Sequence, residues 1–410
     1  MSNITAYENT KDSGIEWIGK VPSHWRIHTL YQLVTQVKEK NSELQEKNLL
    51  SLSYGKIKRK DIDSSDGLLP ASFDGYNIIE DGDIVLRLTD LQNDHTSLRV
   101  GLATERGIIT SAYTTLRPID MRNSKYLYYL IHAFDLKKGF YGMGSGVRQG
   151  LNYAEVKELR IVLPNQDEQN AIVRFLDKQC AQIDAVISEA KASVDEYKGW
   201  KDSIIFEAVT KGMNCSVEMK DSRVDWIGKT PKHWRLLSLK YLCTMQAGKN
   251  LVSEQIEEHG KYPVYGGNGI RGYFSDYNNE GEYLLIGRQG ALCGNVHRVT
   301  GRFWATEHAV VTKNTEEVSL TFLYYLLKGM KLNQYASNSA AQPGLSVGTI
   351  SNITTVLPPI NEQSEIAVHL DKKCSMIDAL ICEKETLLEE LGAYKRSLIF
   401  ETVTGKRKVV

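Results

Sequence analysis

Apolar residues recur at alternating steps of four and three along the last quarter of the chain. Ile366, Leu370, Ile377, Leu380, Leu387, Leu391, Tyr394 and Leu398 fill this series, and Lys373 and Lys384 hold its two remaining places. The same steps run through Ile172, Leu176, Gln179, Ile183, Val186, Ala190, Ser193, Tyr197, Trp200 and Ile204. A seam of this period, sustained over several heptads, predicts two long helices of coiled-coil type. Asp167 and Asn361, just after prolines, are the N-cap candidates. At about 1.5 Å per residue, a helix from Asp167 to Thr210 would span roughly 65 Å. Gly199 and Gly392, at nearly the same level, point to close helix approach or a local bend.

The two helices are copies. Leu163-Pro164 returns as Leu357-Pro358, Glu168-Gln169 as Glu362-Gln363, Leu176-Asp177-Lys178 as Leu370-Asp371-Lys372, and Ile183-Asp184-Ala185 as Ile377-Asp378-Ala379. Every pair has the same separation, so the copies align without a gap. A second phrase precedes each variable segment. Asp12-Ser13-Gly14-Ile15-Glu16-Trp17-Ile18-Gly19-Lys20-Val21-Pro22-Ser23-His24-Trp25-Arg26 reappears from Asp221 to Arg235 with Trp226, Ile227, Gly228, Lys229, Pro231, His233 and Trp234 in register. The repeating unit is phrase, variable segment, long helix, at 12–211 and again at 221–404.

The variable segments have matching periodicity and different loops. Asp81-Gly82-Asp83 turns into the apolar strand Ile84-Val85-Leu86, and Glu280-Gly281-Glu282 into Tyr283-Leu284-Leu285-Ile286. Both continue through short β-rich pieces to a short helix with a double tyrosine, Tyr128-Tyr129 and Tyr324-Tyr325. Without regular β-α alternation the class is α+β. The expected fold is two globular α/β domains separated by two long antiparallel coiled-coil helices, with a pseudo-twofold internal repeat and neighbouring termini. The expected divisions are 1–158, 159–211, 212–352 and 353–410.

Composition narrows the chemistry. Lys plus Arg equals Asp plus Glu at 50 each, so any basic surface must come from local clustering. No apolar run is of transmembrane length, and the polar start lacks a signal-peptide core. Six cysteines without a C-x-x-C pair read as reduced thiols in a cytoplasmic protein. Gly14 to Lys20 has the G-x-x-x-x-G-K outline, but Val21 follows and no strand precedes it, so it does not read as a phosphate loop. Histidines and cysteines show no zinc spacing. The only Pro-Pro, Pro358-Pro359, lacks the neighbours of an adenine-methyltransferase motif, and no proline precedes an aspartate as a restriction-type nuclease would need. An enzyme in its own right is not indicated. A purely structural coiled coil would leave the two loop-rich domains unexplained.

The W-I-G-x-x-P-x-H-W-R phrase and the L-P…E-Q…L-D…I-D helix opening, each present twice and in order, resemble the specificity subunits of type I restriction–modification systems. The resemblance covers nearly the whole chain. It implies two target-recognition domains and two spacer helices, double-stranded DNA as ligand, and no catalysis by this chain. It also implies two modification (methyltransferase) subunits using S-adenosylmethionine and two restriction subunits using ATP and Mg, none of these cofactors being held by this chain, and no membrane. A DNA-targeting subunit serving a different effector would have the same architecture.

Base reading calls for loop side chains that donate or accept in pairs: Arg for guanine, Asn or Gln for adenine. In the first segment the candidates are Arg87, Thr89, Asn93, Arg99, Arg148 and Gln149, with Lys56, Lys58, Arg59 and Lys60 as a cluster for phosphates. In the second they are Asn268, Arg271 and Tyr273 on a glycine-rich loop, with Arg288, Gln289, His297, Arg298 and Gln342.

Overall fold

The computed structural model describes residues 6–63, 72–91, 93, 94, 96, 98–143, 150–290, 292–337 and 344–409. The chain forms two compact units, Met1–Glu189 with Leu387–Val410, and Ala190–Thr386. Four helices matter for both: α1 (Ser124–Leu136), α2 (Gln166–Lys211), α3 (Leu320–Gly329) and α4 (Ile360–Val403). Each unit takes one part of α2 and one part of α4.

The first unit contains a four-stranded antiparallel sheet of β1 (Val34–Gln36), β2 (Ile84–Leu86), β3 (Val100–Leu102) and β4 (Thr114–Pro118), ordered β1-β4-β2-β3. Alternation along β2 divides the interior. Ile84 and Leu86 join α1 residues Tyr126, Leu127 and Leu130 in one core, while Val85 joins Leu50, Leu52, Ile79 and Ile109 in another. The Asp-Gly-Asp turn is anchored from below, since buried Asp83 accepts from Arg117 Nε at 2.8 Å and from the Glu80 amide at 2.8 Å.

The second unit repeats this plan. Its sheet comprises β5 (Cys243–Ala247), β6 (Tyr262–Gly266), β7 (Gly269–Phe274), β8 (Asn279–Gly287), β9 (Val296–Ala305) and β10 (Ala309–Asn314), ordered β5-β10-β8-β9-β6-β7. Leu284 and Ile286 face α3, and Leu285 packs with Val299, Phe303 and Val311 on the opposite side. The first four positions therefore match the sheet of the first unit. Hairpin β6–β7 extends this one, with a short parallel pairing of β6 to β9. The first unit instead carries separate ribbons, Leu50–Ser53 with Lys56–Arg59 and Asn77–Ile79 with Gly107–Ile109.

The repeated residues join the phrases to the helices. Arg26–Thr29 pairs with Arg160–Leu163, and Arg235–Ser238 with Thr354–Leu357, so the strand after each phrase runs beside the strand leading into the long helix. Gln169 Nε2 donates to the Pro164 carbonyl at 3.0 Å, and Gln363 Nε2 does the same to Pro358. Glu168 meets His24 at 2.9 Å, and Glu362 meets His233 at 2.7 Å. Tyr129 donates to Asp177 at 2.7 Å, and Tyr325 to Asp371 at 2.8 Å. Burial first, and these carboxylates second, raise both phenols far above the usual tyrosine range. Lys395 reaches Asp184 at 2.6 Å, and Lys201 reaches Asp378 at 2.6 Å. In the second unit Lys198 pairs with Glu385 as well, so the helix segments run antiparallel there.

The C-terminus of each long helix closes on a tryptophan. Gly212 (φ +75°) lies where an added Cβ would come within 3.0 Å of buried Trp234, and Gly405 (φ +70°) lies against Pro22 and buried Trp25. Lys406 then donates to the carbonyls of Ile18 and Lys20, so the end of α4 meets the first phrase within its own unit. The phosphate-loop lookalike is a turn between two short strands, Thr10–Asp12 and Lys20–Pro22. Its amides are occupied internally, Ser13 by Gly19 and Gly19 by Ile15, and Ile15 and Ile18 are buried.

Three sequence expectations for the long helices need correction. The seam runs through Ile172, Leu176, Cys180, Ile183, Ile187, Ala190, Val194, Tyr197, Lys201, Ile205 and Ala208, while Val186, Trp200, Leu380 and Tyr394 are exposed. Its steps average about 3.6 residues, because a strict 3.5 series drifts off one face of an ordinary helix. Lys201 and Lys395 occupy the stripe because an aspartate on the other helix meets each of them. The N-cap at α2 is Asn165, whose side chain accepts from the Glu168 amide at 3.0 Å, so Asp167 and Asn361 fall inside the first turns. No close approach accounts for the helix glycines: a Cβ at Gly199 would meet nothing within 4 Å, and at Gly392 only the end of Arg396.

Gly199→Ala is therefore expected to stabilise the protein by about 0.5–1 kcal/mol, read as a raised urea midpoint at unchanged slope. His132, buried on α1 and stacked on Tyr128, has its pKa lowered to about 4 by burial and then by Lys395. Its contribution is fully present above about 6.5 and is lost as pH falls toward 4, a change of about 3 kcal/mol at most. His132→Phe should flatten the acid limb of a stability–pH curve across that window.

Candidate nucleic-acid interface

The loop after the central strand differs between the two units. In the first unit it spans 87–98, between β2 and β3, and Arg99 organises it. Arg99 is fully buried. Its Nε donates to Tyr141 Oη at 2.9 Å, Nη1 to the carbonyls of Arg87 (3.1 Å) and Thr89 (2.7 Å), and Nη2 to those of Asp90 (3.1 Å) and Asp94 (2.6 Å). Its amide donates to Asp135 at 2.7 Å, and burial raises the Asp135 pKa to about 6. Arg99, expected from sequence to read bases, thus has its donors turned onto backbone carbonyls, which would otherwise be costly to leave unpaired. It shapes the loop that presents other side chains.

Those side chains are Arg87, Thr89 and Asn93. Arg87 is half-buried with Nη1 at 3.5 Å from Asp94. Thr89 and Asn93 are exposed, and Asn93 Nδ2 donates to Asp90 at 2.9 Å. The Leu151 amide donates to the Leu88 carbonyl at 2.8 Å, bringing the segment before the next short helix to the same edge.

The second unit builds the same edge differently. Arg288, which follows β8 as Arg87 follows β2, is half-buried and donates from Nε to the Leu345 carbonyl and from Nη1 to the Glu307 carbonyl, both at 3.3 Å. The Leu345 amide returns to the Arg288 carbonyl at 2.8 Å. Like Arg99, Arg288 holds backbone together. The glycine-rich loop is pressed against this point, since a Cβ at Gly287 would lie 2.0 Å from the Gly267 carbonyl oxygen. The close packing leaves Asn268 exposed and bonded to Asn295 at 2.7 Å, with Gln289 exposed nearby and Arg271 lying across Gly266. Tyr273 is half-buried over Gly260, and Arg298 is exposed on β9. His297 is half-buried. Burial and then Lys328 lower its pKa, and Nε2 has no partner among the described residues.

Lys56, Lys58 and Lys60 are exposed, with no ion-pair partner among the described residues. Arg59 differs from them: its guanidinium grips Glu105, with Nε at 2.8 Å. Arg148, Gln149 and Gln342 lie outside the described residues. No group of three potential metal ligands occurs among the described residues. Sequence reasoning did not find Asp94, Asp135, Tyr141 or Asn295, which position the loops. Asp and Asn in a loop are too common to single out before their partners are known.

Comparison with known proteins settles the family. The model of the type I restriction modification DNA specificity domain matches residues 71–193 and 231–390. The chain belongs to that family. Within it, the chain is 48% identical over 139 residues to the type I restriction enzyme EcoprrI specificity subunit of Escherichia coli, covering 33% of this chain and 34% of that one. It thus spans about a third of that relative's length. A putative MjaX specificity subunit of Methanocaldococcus jannaschii is 26% identical over 301 residues, covering 69% of this chain and 68% of the relative. Among solved structures, a chain from a study of complex assembly and conformational transition of the type I R-M system superposes with TM-score 0.69 at 14% identity, covering 93% of this chain and 98% of that one. This likeness confirms the two-domain specificity-subunit fold with mixed helix and strand content.

Arg99→Met should cost about 3 kcal/mol or more in denaturant unfolding, because several buried carbonyls lose their donor at once. Thr89→Ala, at an exposed place on the same loop, should change stability by less than about 0.5 kcal/mol.

Proposed function

We propose that this chain is the non-catalytic DNA sequence-recognition subunit of a type I restriction–modification complex. The observation that carries the reading is the repetition of one scaffold with two different loop edges, within 87–98 in one unit and within 287–295 with the glycine-rich loop in the other. A shared framework with divergent polar loops is what two readers of different half-sites need. The target-recognition domains are then 1–158 and 212–352, and the spacer helices 159–211 and 353–410. The target is bipartite and asymmetric, with unread base pairs between the halves.

In this reading the long helices form an antiparallel coiled-coil pair with pseudo-twofold symmetry, and their length sets the separation of the half-sites. The exposed sides of the helices and phrases receive two modification subunits. These bring S-adenosylmethionine and methylate adenine, one in each half-site. Two restriction subunits supply ATP- and Mg-dependent translocation and cleavage. The chain itself binds none of these cofactors and works in the cytoplasm. No helix among the described residues is long and apolar enough to cross a membrane.

The test is a genome-wide map of adenine methylation in the host with and without the gene. Loss of one bipartite, asymmetric motif is the expected result. An unchanged methylome, together with no enrichment of a bipartite sequence by the purified chain from a random duplex library, would overturn the reading. Adding one turn of four residues to each long helix, before Gly199 and before Gly392, lengthens the pair by about 6 Å. The unread spacer should then grow by one or two base pairs while both half-sites stay the same.

A further inference from the structure

The hairpin Leu50–Arg59 is unlike the rest of the first unit's surface. Its register pairs Leu50 with Arg59, Ser51 with Lys58, Leu52 with Ile57 and Ser53 with Lys56. Alternation gives it two faces. Leu50, Leu52 and Ile57 turn into the core beside β3, where a Cβ on Gly101 would lie 2.5 Å from Leu52 and 3.0 Å from Ile57, and Arg59 on the same face reaches Glu105. The other face is Ser51, Ser53, Lys56 and Lys58: two small hydroxyls and two exposed lysines.

The turn is stranger still. Tyr54 has φ +49°, a backbone region that bulky side chains avoid, in a two-residue connection with Gly55 (φ +75°). Glycine or asparagine would suit the turn better. Tyr54 is also 81% exposed, more than any other large hydrophobic side chain among the described residues. A strained backbone and a largely solvated ring are both unfavourable in the free protein, which points to a role for the ring outside it. The turn also sits beside the loop edge already described: a Cβ on Gly55 would be 3.0 Å from Leu98, the last residue of the 87–98 loop.

We propose that this hairpin is a DNA-probing arm of the first unit. The ribbon enters the major groove, which admits two antiparallel strands, with Lys56 and Lys58 on phosphates and the Tyr54 ring at the tip against a base step. The second unit offers no equivalent arm among its described residues, its extra hairpin β6–β7 being part of the main sheet. The arm deepens the DNA-recognition reading and rests on it.

Binding of the full-length chain and its variants to the duplex enriched from a random library tests this over a series of salt concentrations. Tyr54→Gly is expected to weaken binding about tenfold while the melting temperature stays equal or rises, because glycine relieves the turn. A ring with a merely structural role would give the opposite, a fall in melting temperature with affinity retained. Replacing Lys56 and Lys58 by Gln should reduce the slope of log affinity against log salt by about 0.9 for each lysine. Arg59→Gln, where Glu105 already holds the guanidinium, should change it much less. Wild-type binding with neither the Tyr54 nor the lysine effect overturns the arm alone. Absence of wild-type binding, together with an unchanged methylome, overturns the recognition reading and the arm with it.

Discussion

The structure depends on side chains repeated at matching places along each long helix and turned to different parts of the chain. Glu168 and Glu362 take the histidines of the phrases, Asp177 and Asp371 the second tyrosines of the short helices, and Asp184 and Asp378 the lysines of the other long helix. A helix displays such groups at fixed intervals, so one element holds a phrase, a globular domain and a second helix at set levels. The contacts are polar and directional, and the apolar stripe beside them supplies the burial that makes them effective. Loss of one carboxylate would leave a buried phenol or a lysine without its partner, whereas the apolar stripe alone could slide.

On that frame each domain separates what is constant from what varies. The sheet order, the helix beneath it and the double tyrosine are common to both units, and they bury the larger cores. The variable loops leave the sheet at the same point, after the central strand. Each is held from inside by an arginine whose donors go to backbone carbonyls, Arg99 in one unit and Arg288 in the other. Holding a loop by its backbone leaves its side chains free to differ. A family of readers that must change specificity without losing the fold would benefit from that division.

Much of this was legible in the sequence. Helix positions, strand positions around Ile84–Leu86 and Tyr283–Ile286, and the double tyrosines follow from periodicity, which local geometry imposes on any chain that buries one face. The gapless duplication marked the residues with constant partners before those partners were known. The seam register, by contrast, is not legible from periodicity at Val186, Trp200, Leu380 and Tyr394, which are exposed. An apolar residue is compatible with either side of a stripe, and only packing decides which side is covered.

The chain by itself determined the elements, the repeat and the family, because these are properties of spacing along one dimension. Which charged residues are structural and which are presented was decided by tertiary structure. Arg87 and Arg99 are indistinguishable as letters in one loop, yet one is half-exposed beside Asp94 and the other sealed among carbonyls. Lys58 and Arg59 are adjacent, and strand alternation sends one outward and the other to Glu105. The physical reason is the same in each case: a cation's availability depends on whether an acceptor lies within reach, and folding places the acceptors.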